Sequence, residues 1–169
     1  MRCDPDKVKA VKEWRPPRNL RQVRSFVGLV NYYRRFIRNY ADLAIPLYDL
    51  RKKKTRFHWG EAEQKSFEKL KMALTSAPVM AFSQEKGRYI LNTDASGYAI
   101  GGVLSQLQVD NDGIEQEPVI AYASRRLQGR EQRYCASKRE LLAIVYFVKH
   151  FDVYLRGPHI TIRTDHASL

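Results

Sequence analysis

Two stretches of this chain end alike. Tyr89-Ile90-Leu91-Asn92-Thr93-Asp94 is a short apolar run that closes on Thr-Asp before the small residues Ala95 and Ser96. His159-Ile160-Thr161-Ile162-Arg163-Thr164-Asp165 closes the same way. Runs of this length, rich in β-branched and aromatic residues and followed by turn material, read as strands. From about Arg130 to Tyr154 the pattern between them reads as a long helix, closed by Arg156-Gly157-Pro158. A strand, a hairpin series, a helix and a returning strand can set the first and last strands side by side. Asp94 and Asp165 then stand at neighbouring strand ends with the helix above them.

The helix carries a glutamate where one is expensive. At about 100° per residue, Ala136, Ala143, Ile144 and Phe147 all fall within about 60° of Glu140 on the wheel. Glu131, Lys138 and Lys149 point the opposite way, so Glu140 lies on the packing face. A buried carboxylate without a partner takes up a proton or costs stability. Arg133 or Arg163 would satisfy it, and so would a metal shared with other acids. An aspartate at a strand end is ordinarily a turn-former. Taken together and in this order, Asp94, Glu140 and Asp165 fit a divalent-metal cluster. Mg²⁺ is the expected ion, a hard cation that prefers oxygen ligands, with Mn²⁺ the alternative. Two such ions about 3.5–4 Å apart can clamp an in-line phosphoryl displacement.

The remaining pattern divides the chain. Residues 1–78 read as helical. A first helix starts at Asp4-Pro5-Asp6 and is broken by Arg15-Pro16-Pro17-Arg18, and Asn19 caps a second. In that second helix Leu20, Val23, Phe26, Val27, Val30 and Tyr33 recur at helical spacing, and Gly28 is expected to mark a close helix crossing. A third helix covers about Leu43 to Leu50. Another opens on Glu61-Ala62-Glu63, carries Phe67, Leu70 and Leu74, and ends at Pro78. Residues 79–169 then read as strands at Val79–Phe82, Arg88–Asp94, Ala99–Gln106 and Val119–Ser124, with Val109–Glu117 as a hairpin loop, before the long helix and final strand. Cys135 is expected in the core of that helix. Neither it nor Cys3 has metal-ligand spacing. Most aromatics of the basic region (Trp14, Tyr32, Tyr33, Phe36, Tyr40) are expected to pack rather than to stack on bases.

Charge sharpens the division. Residues 1–60 hold sixteen Lys/Arg against five Asp/Glu, which accounts for +11 of the chain's net +12. A basic module joined to a nearly neutral one points to a polyanion held by the first part, and an ordinary solvated basic face stays open as the alternative. No run of eighteen apolar residues exists, and the N-terminus has no signal- or transit-peptide pattern, so an intracellular, non-secreted chain without a membrane span is expected.

The motifs resemble one family. Leu20–Ile37 (LRQVRSFVGLVNYYRRFI) is similar to the thumb-region segment of the reverse transcriptase of Ty3/gypsy-type LTR retrotransposons. Phe57-His58-Trp59, Phe67–Lys71 (FEKLK) and Ala77-Pro78-Val79 resemble the link that follows. Thr93–Ser96 (TDAS), Ile100–Gln106 (IGGVLSQ), Tyr122–Arg125 (YASR), Lys138–Ala143 (KRELLA) and Thr164–His166 (TDH) resemble its ribonuclease H core. The resemblance implies an α+β chain: a helical thumb-like segment over 1–78, then an incomplete ribonuclease H-like α/β domain with a mixed sheet over 79–169. It implies Mg²⁺-dependent hydrolysis of the RNA strand of an RNA:DNA hybrid, with Asp94, Glu140 and Asp165 matching three of the family's four metal-binding acids. Arg21, Arg24, Arg34, Arg35 and Arg38, with Lys52 and Lys53, would grip the backbone of the hybrid or of a template–primer duplex, and the remainder of the parent polyprotein would be a partner. No paired-aspartate polymerase motif is present. The fourth acid is expected beyond Leu169, so a truncated element with weakened or absent cleavage is expected. The alternative is a non-catalytic remnant that holds duplex through residues 1–60.

Overall fold

The computed structural model describes residues 5–52, 57–76, 80–110, 112–157 and 159–165, with residues 5–8 as backbone only. Lys53, Val79 and His166 lie outside the described residues. Helix α1 (Pro5–Lys12) is followed by α2 (Leu20–Tyr32), which starts where expected because the Asn19 side chain accepts from the Gln22 N–H at 3.0 Å. Its stripe of Val23, Phe26, Val27 and Val30 is buried. The expected third helix is α4 (Ile45–Asp49), with Pro46 in its first turn where a missing N–H costs nothing, and a further short helix, α3 (Tyr40–Leu43), precedes it. Helix α5 (Glu61–Thr75) opens with the Glu63 carboxylate accepting from the Gly60 N–H at 3.0 Å and buries Phe67, Leu70 and Leu74. Phe26 and Phe67 meet at 4.6 Å between ring centroids, with Trp14 edge-on to Phe26, so this helical half closes around aromatic packing. Tyr33, Phe36 and Tyr40 are buried as expected, and Tyr32 alone among those aromatics is fully out in solvent.

Two expectations here are corrected. Gly28 marks no helix crossing: it is exposed, and a Cβ built on it meets nothing within 4 Å. The segment from Met80 to Phe82 is not a strand. Its Ala81 N–H bonds the Val119 carbonyl at 2.9 Å, and the buried Gln106 side chain then turns the chain away by accepting from the Gln84 N–H and donating to the Gln84 carbonyl.

The second half is a four-stranded sheet of β1 (Tyr89–Ala95), β2 (Ala99–Gln106), β5 (Val119–Arg126) and β6 (Ile160–Thr164), in the order β5-β2-β1-β6. Strands β1, β2 and β5 are antiparallel, and β6 returns parallel to β1. Between β2 and β5 the expected polar hairpin is a small ribbon of β3 (Gln108–Val109) and β4 (Glu115–Gln116), with Gly113 at φ 79° in its turn. The expected long helix is in pieces: a 3₁₀ turn at Glu131–Arg133, α6 (Ala136–His150) and α7 (Asp152–Leu155). Glu131 fixes that first turn by holding the Arg125 guanidinium with both oxygens and accepting from the Gln128 N–H. Cys135 is therefore not a core residue. It stands at the N-cap of α6, exposed.

Adjacent glycines of β2 serve the two faces of the sheet. A Cβ on Gly102 would fall 2.6 Å from the Phe147 ring of α6, and a Cβ on Gly101 would collide with the Asn39 side chain just before α3. Helix α6 thus covers one face and the helical half leans on the other. The buried residues of both halves form one continuous cluster. Among the described residues, no helix is long and apolar enough to cross a membrane.

Candidate metal centre

The β1–β6 register runs Thr93 opposite Thr164, so the residue after each, Asp94 and Asp165, leaves the sheet at the same end. Glu140, in the second turn of α6, points down between them. One carboxylate oxygen of each acid lies within 4.8 Å of the others. Asp94 and Asp165 reach solvent, whereas Glu140 is 5% exposed. Burial, then the charge of Asp165, push the Glu140 carboxyl above the ordinary range, and Asp94 adds to this. Its relief within the chain is a Thr164 hydroxyl at 3.3 Å and the Ala95 N–H. Neither arginine considered from sequence pairs with it: Arg163 turns outward to Glu117 at 2.9 Å, and the only acid–cation pairs among the described residues lie elsewhere. Three convergent oxygen ligands, one of them buried beside two other acids, are the donor set a hard divalent cation satisfies.

Several residues missed from sequence hold the acids in place. Arg139, next to Glu140, donates to the Ser96 carbonyl at 2.9 Å and so ties α6 to the turn after Asp94. The Ser96 hydroxyl accepts from the Ala99 N–H and donates to Asp42 at 3.1 Å. Asn39, at φ 53°, donates to Asp94 at 3.4 Å, and the Ala41 N–H bonds the Ser124 hydroxyl at 2.8 Å. One short turn of the helical half therefore touches β1, the turn after it and β5. The signal was present in part, since Asn39 before Tyr40 is a helix-start residue; its reach across 55 positions was not.

Of the cations singled out from sequence, Arg21, Arg24, Arg34, Arg35, Arg38 and Lys52 are all exposed. Lys52 pairs with Asp49 at 3.0 Å, and none of the five arginines forms an ion pair with a described acid.

This sheet, with its α6 crossover and its acids at the strand ends, defines a ribonuclease H-like fold. Residues 59–162 match the family model described as "RNase H-like domain found in reverse transcriptase", and the chain belongs to that family. It is 39% identical over 167 residues to the Retrovirus-related Pol polyprotein from transposon 297 of Drosophila melanogaster, covering 98% of this chain and 15% of the relative. It is 35% identical over 166 residues to the Transposon Tf2-3 polyprotein of Schizosaccharomyces pombe, covering 97% of this chain and 12% of the relative. The chain thus spans well under a fifth of these relatives, which are much longer polyproteins. Among solved structures it superposes on the foamy viral protease-reverse transcriptase in complex with RNA/DNA hybrid at TM-score 0.75 and 21% identity, covering 98% of this chain and 22% of that one. A second foamy viral complex, with double-stranded DNA, gives the same TM-score at 20% identity over 96% of this chain and 28% of that one.

Proposed function

We propose that this ribonuclease H-like domain of a retrotransposon reverse transcriptase hydrolyses the RNA strand of an RNA:DNA hybrid, with Asp94, Glu140 and Asp165 as the residues that hold Mg²⁺. The observation that carries this reading is the convergence of one carboxylate oxygen from each of the three acids to within 4.8 Å of the others, with Glu140 buried among them. A bound divalent ion supplies an activated water and neutralises charge developing on the phosphoryl oxygens. The chain's own contribution is placement. Arg139 fixes the helix that carries Glu140, Asn39 orients Asp94, and Thr164 donates to Glu140. Residues 1–78 act as the basic, thumb-like module and 79–169 as the nuclease-like one. Arg21, Arg24, Arg34, Arg35 and Arg38, together with Lys52 and Lys53, hold the hybrid or template–primer backbone, a contact without sequence preference.

The test is cleavage of a labelled RNA strand in a hybrid with Mg²⁺, beside the Mg²⁺-dependent rise in melting temperature, for wild type and Asp94→Asn. The metal response is expected in the wild type and not in the variant, and cleavage is expected to be weak in the wild type, in keeping with the three acids present, and absent in the variant. Tight hybrid binding without cleavage or metal response would replace the nuclease reading with a nucleic-acid grip.

A further inference from the structure

A groove of about 740 Å³ runs along the outer edge of β5, between the helical half and the C-terminal end of α6, and it takes no part in the acid cluster. Its lining is chemically one-sided. Arg34, Arg35, Arg125 and Arg126 line it, and no Asp or Glu among the described residues does. Two of those guanidiniums are already engaged: Arg125 lies in the grip of Glu131, and Arg126 bonds Asp49 at 2.8 Å. Arg34 and Arg35 are exposed and form no ion pair with a described acid. Aromatic rings line the same groove. Tyr146 and His150 are stacked at 13° with centroids 5.9 Å apart, and the Arg125 guanidinium lies over the Tyr146 ring at 4.7 Å, so His150 is the ring of this pair left to take a further stack. Tyr122 and Tyr154 also line the groove. Burial, then the nearby Arg34, hold the His150 imidazole below its ordinary range.

Guanidiniums held by no described acid (Arg34 has Asn31 Oδ1 at 3.4 Å) beside an aromatic ring are the pair of features that bind a phosphate and the base attached to it. Stacking is worth about 1–3 kcal/mol per base and is indifferent to base identity, and arginine matches phosphate through its planar fork. The volume is in the range of about 300–1,000 Å³ typical of small-ligand sites, which suits a nucleotide unit and excludes a duplex. Position supports a link to the proposed chemistry. Ser124, which lines the groove, stands opposite Gly101, and Gly101 stands opposite Asp94. Two strand spacings of about 4.8 Å put the groove edge roughly 10 Å from Asp94 across the sheet.

We infer that this groove binds an unpaired nucleotide of a nucleic-acid strand, with its phosphate on Arg34 and Arg35 and its base against His150. The inference rests on the nucleic-acid reading above, and it names a single-stranded element that the reading does not contain.

The test is fluorescence anisotropy of a short labelled oligothymidylate and, separately, of a blunt RNA:DNA hybrid, using wild type, Arg35→Ala and His150→Leu. Both side chains are exposed, and unchanged melting temperatures will verify that the variants fold. The expected result is oligothymidylate binding by the wild type, weakened about five- to a hundredfold in His150→Leu. Blunt-hybrid binding is expected to change less than twofold in that variant. Arg35→Ala is expected to weaken oligothymidylate binding more than hybrid binding. Thymidine monophosphate competing as well per molecule as a nucleotide of the oligomer would assign the same chemistry to a free nucleotide. No oligothymidylate binding, equal losses on both ligands, or displacement by oligoglutamate as effective as by oligothymidylate would overturn the inference. Loss of hybrid binding by the wild type itself would instead overturn the proposed function.

Discussion

In the helical half, Arg21, Arg24, Arg34, Arg35 and Arg38 stand in solvent and pair with no described acid, whereas in the sheet half Arg125, Arg126, Arg156 and Arg163 are each closed on a carboxylate. The two sets are chemically identical and differ only in where the chain supplies acids. Residues 1–60 hold five, and Asp49 is spent on Lys52 and on Arg126 across the interface. Unpaired surface cations cost little in water and remain available to a polyanion; paired ones shape the fold and are not. If the proposed function holds, the unpaired set is the one a nucleic-acid backbone meets, and that distinction can be broken experimentally.

The largest effect is expected from Arg21, Arg24, Arg34, Arg35 and Arg38 all changed to Ala. If each meets a phosphate, the salt exponent of hybrid binding falls by about 4.5, equivalent to roughly 500-fold in affinity between 50 and 200 mM salt. The melting temperature should barely move. Arg163→Ala should do the reverse, leaving the salt exponent unchanged and costing about 0.2–1 kcal/mol in thermal unfolding, as an exposed pair does. Equal salt slopes for the two variants would abolish the distinction.

Glu140→Gln tests the acid cluster without reference to cleavage. The Glu140 carboxyl is held above its ordinary value in the folded chain, so the unfolded chain gives up that proton first as pH rises. The group's stabilising contribution is therefore complete below the ordinary carboxylate range and is lost as pH climbs through the folded-state value. In EDTA, the wild-type melting temperature should fall relative to Glu140→Gln over that climb. Saturating Mg²⁺ should reverse the order, adding about 2.7 kcal/mol to the wild type at a hundredfold excess over its dissociation constant and little to the variant. A wild type and variant with parallel pH profiles and equal Mg²⁺ responses would remove Glu140 from the cluster.

How far sequence reaches is clear from particular residues. The three acids could be brought together from sequence because local rules suffice: strand ends are marked by Thr-Asp and turn residues, and a helical wheel turns Glu140 inward. What holds them could not. Asn39 reaches Asp94 and Asp42 reaches Ser96 over more than fifty positions, contacts set by how the helical half leans on the sheet. Cys135 and the split of the long helix were misread for a related reason. Arg130–Tyr134 carries nothing locally that forbids a helix, and the turn there is imposed by the grip of Glu131 on Arg125 from another strand.

Two glycines give the finest test of that limit. Gly28 and Gly102 each interrupt a regular element, and of the two only Gly28 is expected from sequence to mark a close approach. Gly102 is such a place. A methyl group there enters the Phe147 ring at 2.6 Å, so Gly102→Ala should cost about 1–3 kcal/mol by overpacking and lower the melting temperature. Gly28 is not. Its added methyl meets nothing within 4 Å, and its φ lies outside the left-handed range, so Ala restores helix propensity without a clash. Gly28→Ala should therefore stabilise the chain by about 1 kcal/mol in chemical unfolding, with hybrid binding unchanged. Stabilisation accompanied by weaker hybrid binding would mean that the gap at Gly28 is kept for a close approach of the nucleic-acid backbone, and the exposed face of α2 would then belong to the binding surface on steric as well as electrostatic grounds.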